Sequence, residues 1–215
     1  MMRPAAVIFD MDGVIVDSEP RHERAFLQVV GELGYGDNHG VQFSKFVGRT
    51  DREIWVDFVT RHHPAHSLED LLAMKRARVL EMLRREQPLF EGLPELIERL
   101  AKTFRLGVAS GSEPLVVEEV LRFRDLRRFF SVVTTSSEVK HGKPAPDIFL
   151  RVAGLLGVQP SECWVVEDSK PGVAAGLAAG MQVIAITNTY PAEELAHATK
   201  VVATYEQIGR ILLPD

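Results

Sequence analysis

Five short apolar runs punctuate the chain, at residues 5–9, 106–109, 132–134, 163–166 and 183–186. They are brief, rich in β-branched side chains and do not alternate with polar residues, which is the pattern of strands buried on both faces. Helix-sized segments separate them, and that alternation predicts a parallel sheet covered by helices, a doubly wound α/β core. Start signals support the helices: Ser112 before Glu113-Pro114, Asp147 before an Ile-Phe-Leu run, and Ser169 before Lys170-Pro171. Gly157 and Gly180 suit their exits.

Between the first run and the rest the pattern changes. Residues 16–88 lack strand-like runs and carry helical periodicity, so they predict an inserted helical subdomain, with the core formed by 1–15 and 89–215 and short hinges near Val16 and Leu89. Ala25, Phe26, Val29, Val30 and Leu33 share one helical face. Thr50 and Glu53 match a capping box opening a second helix, and a third runs over 68–85. In that third helix Lys75 falls at the centre of the stripe made by Leu68, Leu71, Leu72, Val79 and Met82.

Composition narrows the class. The 215 residues are 46% hydrophobic and 26% charged, enough for one substantial core and a smaller second one. A formal charge of -5 and the lack of any Lys/Arg-rich run give no electrostatic reason to expect nucleic acid or an anionic membrane as partner. No window is apolar enough to span a bilayer and no basic segment precedes an apolar stretch at the N-terminus, so the expectation is a cytoplasmic protein, and a monomer. Cys163, the single cysteine, sits in an apolar run and reads as a small buried hydrophobe.

The chemistry collects where each strand ends. Asp10 and Asp12 follow the first run, Ser110 and Gly111 the second, Lys143 the third, and Glu167-Asp168 the fourth. Open α/β sheets bind ligands along the edge formed by the carboxyl ends of their strands, so these residues converge on one crevice. Carboxylates for a hard cation, a lysine for anionic charge and a hydroxyl for an oxygen suit a phosphoryl group with Mg²⁺.

Asp10-Met-Asp12-Gly13, Ser110 in Val-Ala-Ser-Gly-Ser, Lys143 in His-Gly-Lys-Pro-Ala-Pro-Asp, and Val-Val-Glu167-Asp168-Ser resemble, in order, the four motifs of the haloacid dehalogenase superfamily. The stretch from Asp168 to Gly180 is similar to its β-phosphoglucomutase-like subgroup. The resemblance covers about residues 5 to 190. It implies a helical cap inserted in the core, and Asp10 attacking phosphorus to form an aspartyl phosphate while Asp12 protonates the leaving oxygen and then activates the acceptor. It implies Mg²⁺ on Asp10, the Asp12 carbonyl and Asp168, with Glu167 on the metal or its waters. Ser110 and Gly111 with Lys143 would hold the phosphoryl oxygens. In such proteins the Lys-Pro bond after the lysine is often cis.

Each residue alone has a plainer reading: Asp-x-Asp-Gly as a turn, Lys143 as a surface lysine, Glu167 as a helix-dipole partner. In the insertion His22, Arg49 and Lys75 are candidates for substrate contact, because a cap must recognise the leaving portion. Lys75 could equally snorkel to solvent. His62, His63 and His66 lack metal-ligand context and are expected at the solvated surface. The expected function is a Mg²⁺-dependent phosphatase of a small phosphorylated metabolite, a sugar phosphate above all, with a phosphosugar mutase as the alternative. A dehalogenase would need neither Asp12 nor Asp168, and a receiver-type signalling domain carries its phosphorylated aspartate after a middle strand.

Overall fold

The computed structural model describes residues 4–42 and 51–213. Contacts divide the chain into two units, one of residues 1–17 and 88–215, the other of residues 18–87.

The first unit is built on six strands: β1 (Ala6–Phe9), β2 (Arg105–Ser110), β3 (Val132–Thr135), β4 (Cys163–Glu167), β5 (Gln182–Ile186) and β6 (Lys200–Val202). All pair in parallel, in the order β3-β2-β1-β4-β5-β6. The five longer strands are the five apolar runs; β6 is the strand that the run pattern misses. Every residue of β1 is buried, as expected for the strand where the chain order reverses and helices cover both faces. Val7 sits between Leu106 on β2 and Trp164 on β4, which fixes the level at which the strand ends meet.

The helices α4 (Leu93–Ala101), α5 (Pro114–Arg122), α6 (Asp147–Leu156), α7 (Lys170–Ala178) and α8 (Tyr205–Leu212) complete this unit. Ile148, Phe149, Val152 and Val173 from α6 and α7 pack on Ile8, Val165 and Val183 in one cluster. Each such fully buried side chain contributes roughly 1.5–3 kcal/mol relative to exposure. Ser169 caps α7 as its sequence position suggests, accepting the Gly172 amide at 3.1 Å. Ser112 does not cap α5: Glu113 occupies that position and Ser112 turns to another partner. Cys163 is buried, and burial pushes its thiol up to about 11. The outgoing and returning chain are paired at the boundary of the unit, Val16 bridging Leu89 and the Asp17 amide donating to Pro88 O at 2.9 Å.

The second unit holds α1 (Glu19–Glu32), α2 (Asp51–His62) and α3 (Leu68–Glu86). Phe26, Val29, Val30, Trp55, Phe58 and Leu71 form its core, with Leu33 at the margin. The rings of Phe26 and Trp55 lie 4.5 Å apart. Ser67 and Asp70 make the capping box of α3, each satisfying the other's amide. The Thr50 capping box lies outside the described residues. His62 departs from the solvated reading: it is half-buried, its ring is 4.7 Å from that of Phe58, and its Nε2 is 2.9 Å from His39 O. An aromatic ring with a polar tip fills such a half-wet position, and nothing in the local sequence distinguishes it from the exposed His63 and His66. Among the described residues no helix is long and apolar enough to cross a membrane.

Candidate active site

Asp10 directly follows β1, and its amide donates to Val166 O at 3.0 Å and so continues the ladder to β4. This places its carboxylate beside the end of β4, where Glu167 is the last strand residue and Asp168 follows. Ligand oxygens of Asp10, Glu167 and Asp168 lie within 4.8 Å of one another, and all three residues are buried.

Lys143, on the loop between β3 and α6, reaches into this group. Its Nζ donates to Asp10 Oδ1 and Glu167 Oε1 at 2.7 Å each and to Ala109 O at 3.2 Å. The ammonium therefore spends its three donors on three strand ends. It also lies 5.0 Å from the centroid of the Phe149 ring. The Lys143-Pro144 bond is cis.

Glu167 is the most constrained of the acids. Its Oε2 accepts from the Asp168 amide, the Ser169 amide and the Ser169 hydroxyl, all at 2.9 Å. Its Oε1 accepts from Lys143. A side chain at Gly172, in the first turn of α7, would overlap the Glu167 carboxylate, so the absence of a Cβ there is what lets the acid lie against the helix start, where the dipole favours negative charge. Replacing Gly172 with Ala is expected to lower stability by about 1–3 kcal/mol through overpacking. Gly154 in α6 has open space around its missing Cβ, so Gly154→Ala is expected to raise stability by about 0.5–1 kcal/mol. Thermal melts of the two variants should therefore shift in opposite directions.

Asp168 packs against Gly13 in the same way. The backbone of Gly13 has φ +74°, a side chain there would overlap Asp168, and Thr189 hydrogen-bonds the Asp168 carboxylate. Burial, then the neighbouring Glu167 and Asp10, hold Asp168 well above the usual carboxylate range. Burial also pushes Asp10 up to about 7, against the pull of Lys143 and with Glu167 and Asp12 adding to the rise. Burial alone would lower Lys143, but the charges of Asp10 and Glu167 outweigh it and keep the amine protonated. Among the described residues, three buried carboxylates face the Lys143 ammonium, an excess of negative charge that a divalent cation with oxygen ligands would relieve. The donor set fits Mg²⁺, with Asp10 and Asp168 having the least committed oxygens.

Asp12 connects to the end of β2. The Ser112 hydroxyl donates to Asp12 Oδ2 at 2.7 Å, and the Ser112 amide donates to the buried Ser110 Oγ at 3.0 Å. Gly111 O accepts from the Ser136 hydroxyl at 2.9 Å. Ser112 is a site residue that the sequence reading used only as a helix start; its motif, Ser-Gly-Ser, offered two hydroxyls, and spacing alone does not say which one turns toward Asp12. Ser169 likewise reads from the sequence as a helix start only and Thr189 not at all, since each acts by bonding an acid of the site.

The insertion candidates belong to the other unit. Lys75 is 2% exposed on α3, and its Nζ lies 3.0 Å from His22 Nδ1 on α1. An ammonium can only donate, so Nδ1 accepts. Lys75 thus neither snorkels nor stands as an isolated cation. Arg49 lies outside the described residues.

A parallel sheet that gathers buried acids and one lysine where β1, β2 and β4 end defines an α/β enzyme with a ligand-binding crevice at its carboxyl edge. Comparison with known proteins names the kind. Residues 7–186 match the family model of the haloacid dehalogenase-like hydrolases. The chain is 33% identical over 186 residues to the fructose-1-phosphate phosphatase YqaB of Escherichia coli (strain K12), covering 85% of this chain and 96% of that protein. It is 32% identical over 183 residues to hexitol phosphatase B of the same organism, covering 84% and 82%. The crystal structure of CbbY from Rhodobacter sphaeroides in complex with phosphate superposes with a TM-score of 0.83 at 25% identity, covering 96% of each chain. The chain belongs to the haloacid dehalogenase-like hydrolase family and is a hydrolase.

Proposed function

We propose that the protein is a Mg²⁺-dependent phosphatase that hydrolyses a small phosphorylated carbohydrate through an aspartyl phosphate on Asp10. The observation that carries this is Lys143 bridging Asp10 and Glu167 at 2.7 Å while Asp168 completes a buried acidic group beside them. The named activities of the two bacterial phosphatases support the substrate class.

In this reading a carboxylate oxygen of Asp10 attacks phosphorus and the bond to the leaving alcohol oxygen breaks. Asp12 gives that oxygen its proton. Asp12 then takes a proton from water, whose oxygen attacks the phosphorus of the acyl phosphate, and Asp10 leaves as a carboxylate while inorganic phosphate is released. Ser112 orients Asp12 for both transfers. Lys143, with Ser110 and the Gly111 amide, neutralises and positions the phosphoryl oxygens, and such preorganised charge supplies most of the acceleration in phosphoryl transfer. Asp10 and Asp168 would hold Mg²⁺, which when bound would supply further positive charge at the transferring group. Glu167, with its hydrogen-bonding capacity largely spent on Lys143 and Ser169, serves to place the lysine. His22, Lys75 and Arg49 of the insertion serve recognition of the carbohydrate portion.

The test is release of inorganic phosphate from a panel of sugar, sugar-alcohol and non-carbohydrate phosphomonoesters, with Mg²⁺ and with chelator. The expected result is Mg²⁺-dependent release that prefers the carbohydrate esters. Interconversion of hexose phosphates with no net phosphate release would identify a mutase instead.

A further inference from the structure

Two uncharged side chains outside the four motifs converge on the loop that carries Asp10 and Asp12. Asn188 follows β5, and Tyr205 opens α8. Asn188 Nδ2 donates to Gly13 O at 2.8 Å and to Tyr205 Oη at 2.9 Å, and Tyr205 Oη donates to Val14 O at 2.6 Å. Both amide hydrogens of Asn188 are thereby used, and the phenol accepts one bond and donates one.

The two carbonyls held are consecutive, and both lie in the tight turn that follows the nucleophile strand. Within that turn Met11 O accepts from the amides of Val14, Ile15 and Val16, and Gly13 N donates to Val16 O. The carbonyls of Gly13 and Val14 find their partners outside the turn, on Asn188 and Tyr205, and buried carbonyls need such partners. Val14 is fully buried and Tyr205 is 7% exposed, so water is poorly placed to substitute. Burial holds the Tyr205 hydroxyl well above the usual phenol range, and it remains a donor.

Thr189 directly follows Asn188. Thr189 hydrogen-bonds Asp168, and the Asp168 carboxylate lies where a Gly13 side chain would be. One dipeptide therefore grips the Asp10 loop with its first residue and the acid after β4 with its second.

We propose that Asn188 and Tyr205 are positioning residues that hold the loop from Asp10 to Val16 in register with Asp168, and so set the spacing of the carboxylates for Mg²⁺. This rests on the phosphatase reading for its consequence in turnover, but its structural content stands apart from it. Their hydrogen bonds go to the loop carbonyls and to each other, not to Asp10, Asp12 or Asp168. They act through the loop, as partners behind the ligands of metal sites do.

The test uses the full chain with Tyr205→Phe, Asn188→Ala and the double variant, beside Ile208→Val as a control that loosens the packing of α8 without touching the loop bonds. Amide hydrogen exchange over residues 10–17, the Mg²⁺-induced rise in melting temperature, and kcat and KM are measured for each. In the clamp variants, exchange over 10–17 should quicken roughly tenfold or more, and Mg²⁺ affinity and kcat should each fall by roughly tenfold to a hundredfold. KM should stay within about threefold. The double variant should resemble the worse single one, because one chain of bonds is broken in either case. Ile208→Val should change none of the three. Unchanged exchange in the clamp variants overturns the clamp, and faster exchange with intact Mg²⁺ affinity and kcat overturns its positioning role. If the wild-type chain releases no phosphate, the phosphatase reading fails, while the exchange and Mg²⁺ melting results still decide the clamp.

Discussion

Asp10→Asn is expected to abolish phosphate release and, in the metal-free protein above pH 7, to raise the melting temperature. The first effect follows from losing the attacking oxygen, since removal of a nucleophile costs on the order of 10⁴-fold or more in turnover. The second follows from the cost of burying the ionised carboxylate. Asp10 titrates near 3.8 when exposed and is pushed up to about 7 in the fold, first by burial and then by Glu167 and Asp12, with Lys143 only partly offsetting them. Between those values the unfolded chain releases its proton first. Stability of the metal-free wild type therefore falls as pH rises from about 4 to about 7, by an amount on the order of 4 kcal/mol for this group alone. An asparagine carries no such penalty, and Lys143 keeps its bond to Glu167. Melting curves at pH 5 and pH 8 should show the variant gaining on the wild type at the higher pH, and added Mg²⁺ should close the gap by stabilising only the wild type. A variant that melts below the wild type at pH 8 would contradict this balance of charges.

Lys143→Met is expected to act in the opposite direction on stability. It removes the ammonium that bonds both Asp10 and Glu167 and leaves the two acids buried without it. Breaking a buried pair in this way costs about 3–5 kcal/mol. The loss should be largest at pH 8 and smaller at pH 5, where Asp10 takes up a proton. Turnover should fall by about 10²–10³-fold or more, the scale of losing one preorganised charge at the reacting group. Lys143→Arg should restore little, because Asp10 Oδ1, Glu167 Oε1 and Ala109 O surround a compact ammonium and a planar fork cannot meet all three. Urea titrations at the two pH values and initial rates with saturating Mg²⁺ check both claims. Retention of wild-type stability at pH 8 would show that Lys143 does not compensate the acids.

The contrast between these variants reflects how the site was visible before the fold was. Asp10, Lys143, Glu167 and Asp168 follow buried apolar runs, and parallel pairing forces such positions to one edge. The central strands were legible because burial on both faces removes polar residues from them. β6 was not, because Lys200-Val201-Val202 is a three-residue edge strand with an exposed lysine, too short to stand out from its surroundings. The site roles of Ser112, Thr189, Asn188 and Tyr205 are illegible for a different reason: each works by a hydrogen bond to a residue distant in sequence. A sequence separation of 191 between Val14 and Tyr205 gives no local pattern to read. Lys75 was legible as an anomaly on an apolar face, yet its partner His22, 53 residues away, was not readable from helical spacing.

Whether Asp10 itself carries the phosphoryl group during turnover is tested by rapid acid quench of enzyme, Mg²⁺ and a hydrolysed sugar phosphate, followed by mass spectrometry of the peptide that contains Asp10. The expected result is a transient phosphoryl adduct on Asp10 that forms and decays at rates consistent with turnover and that hydroxylamine removes. Turnover with no adduct at any quench time, together with full activity of Asp10→Asn, would contradict it and leave water attacking the ester directly.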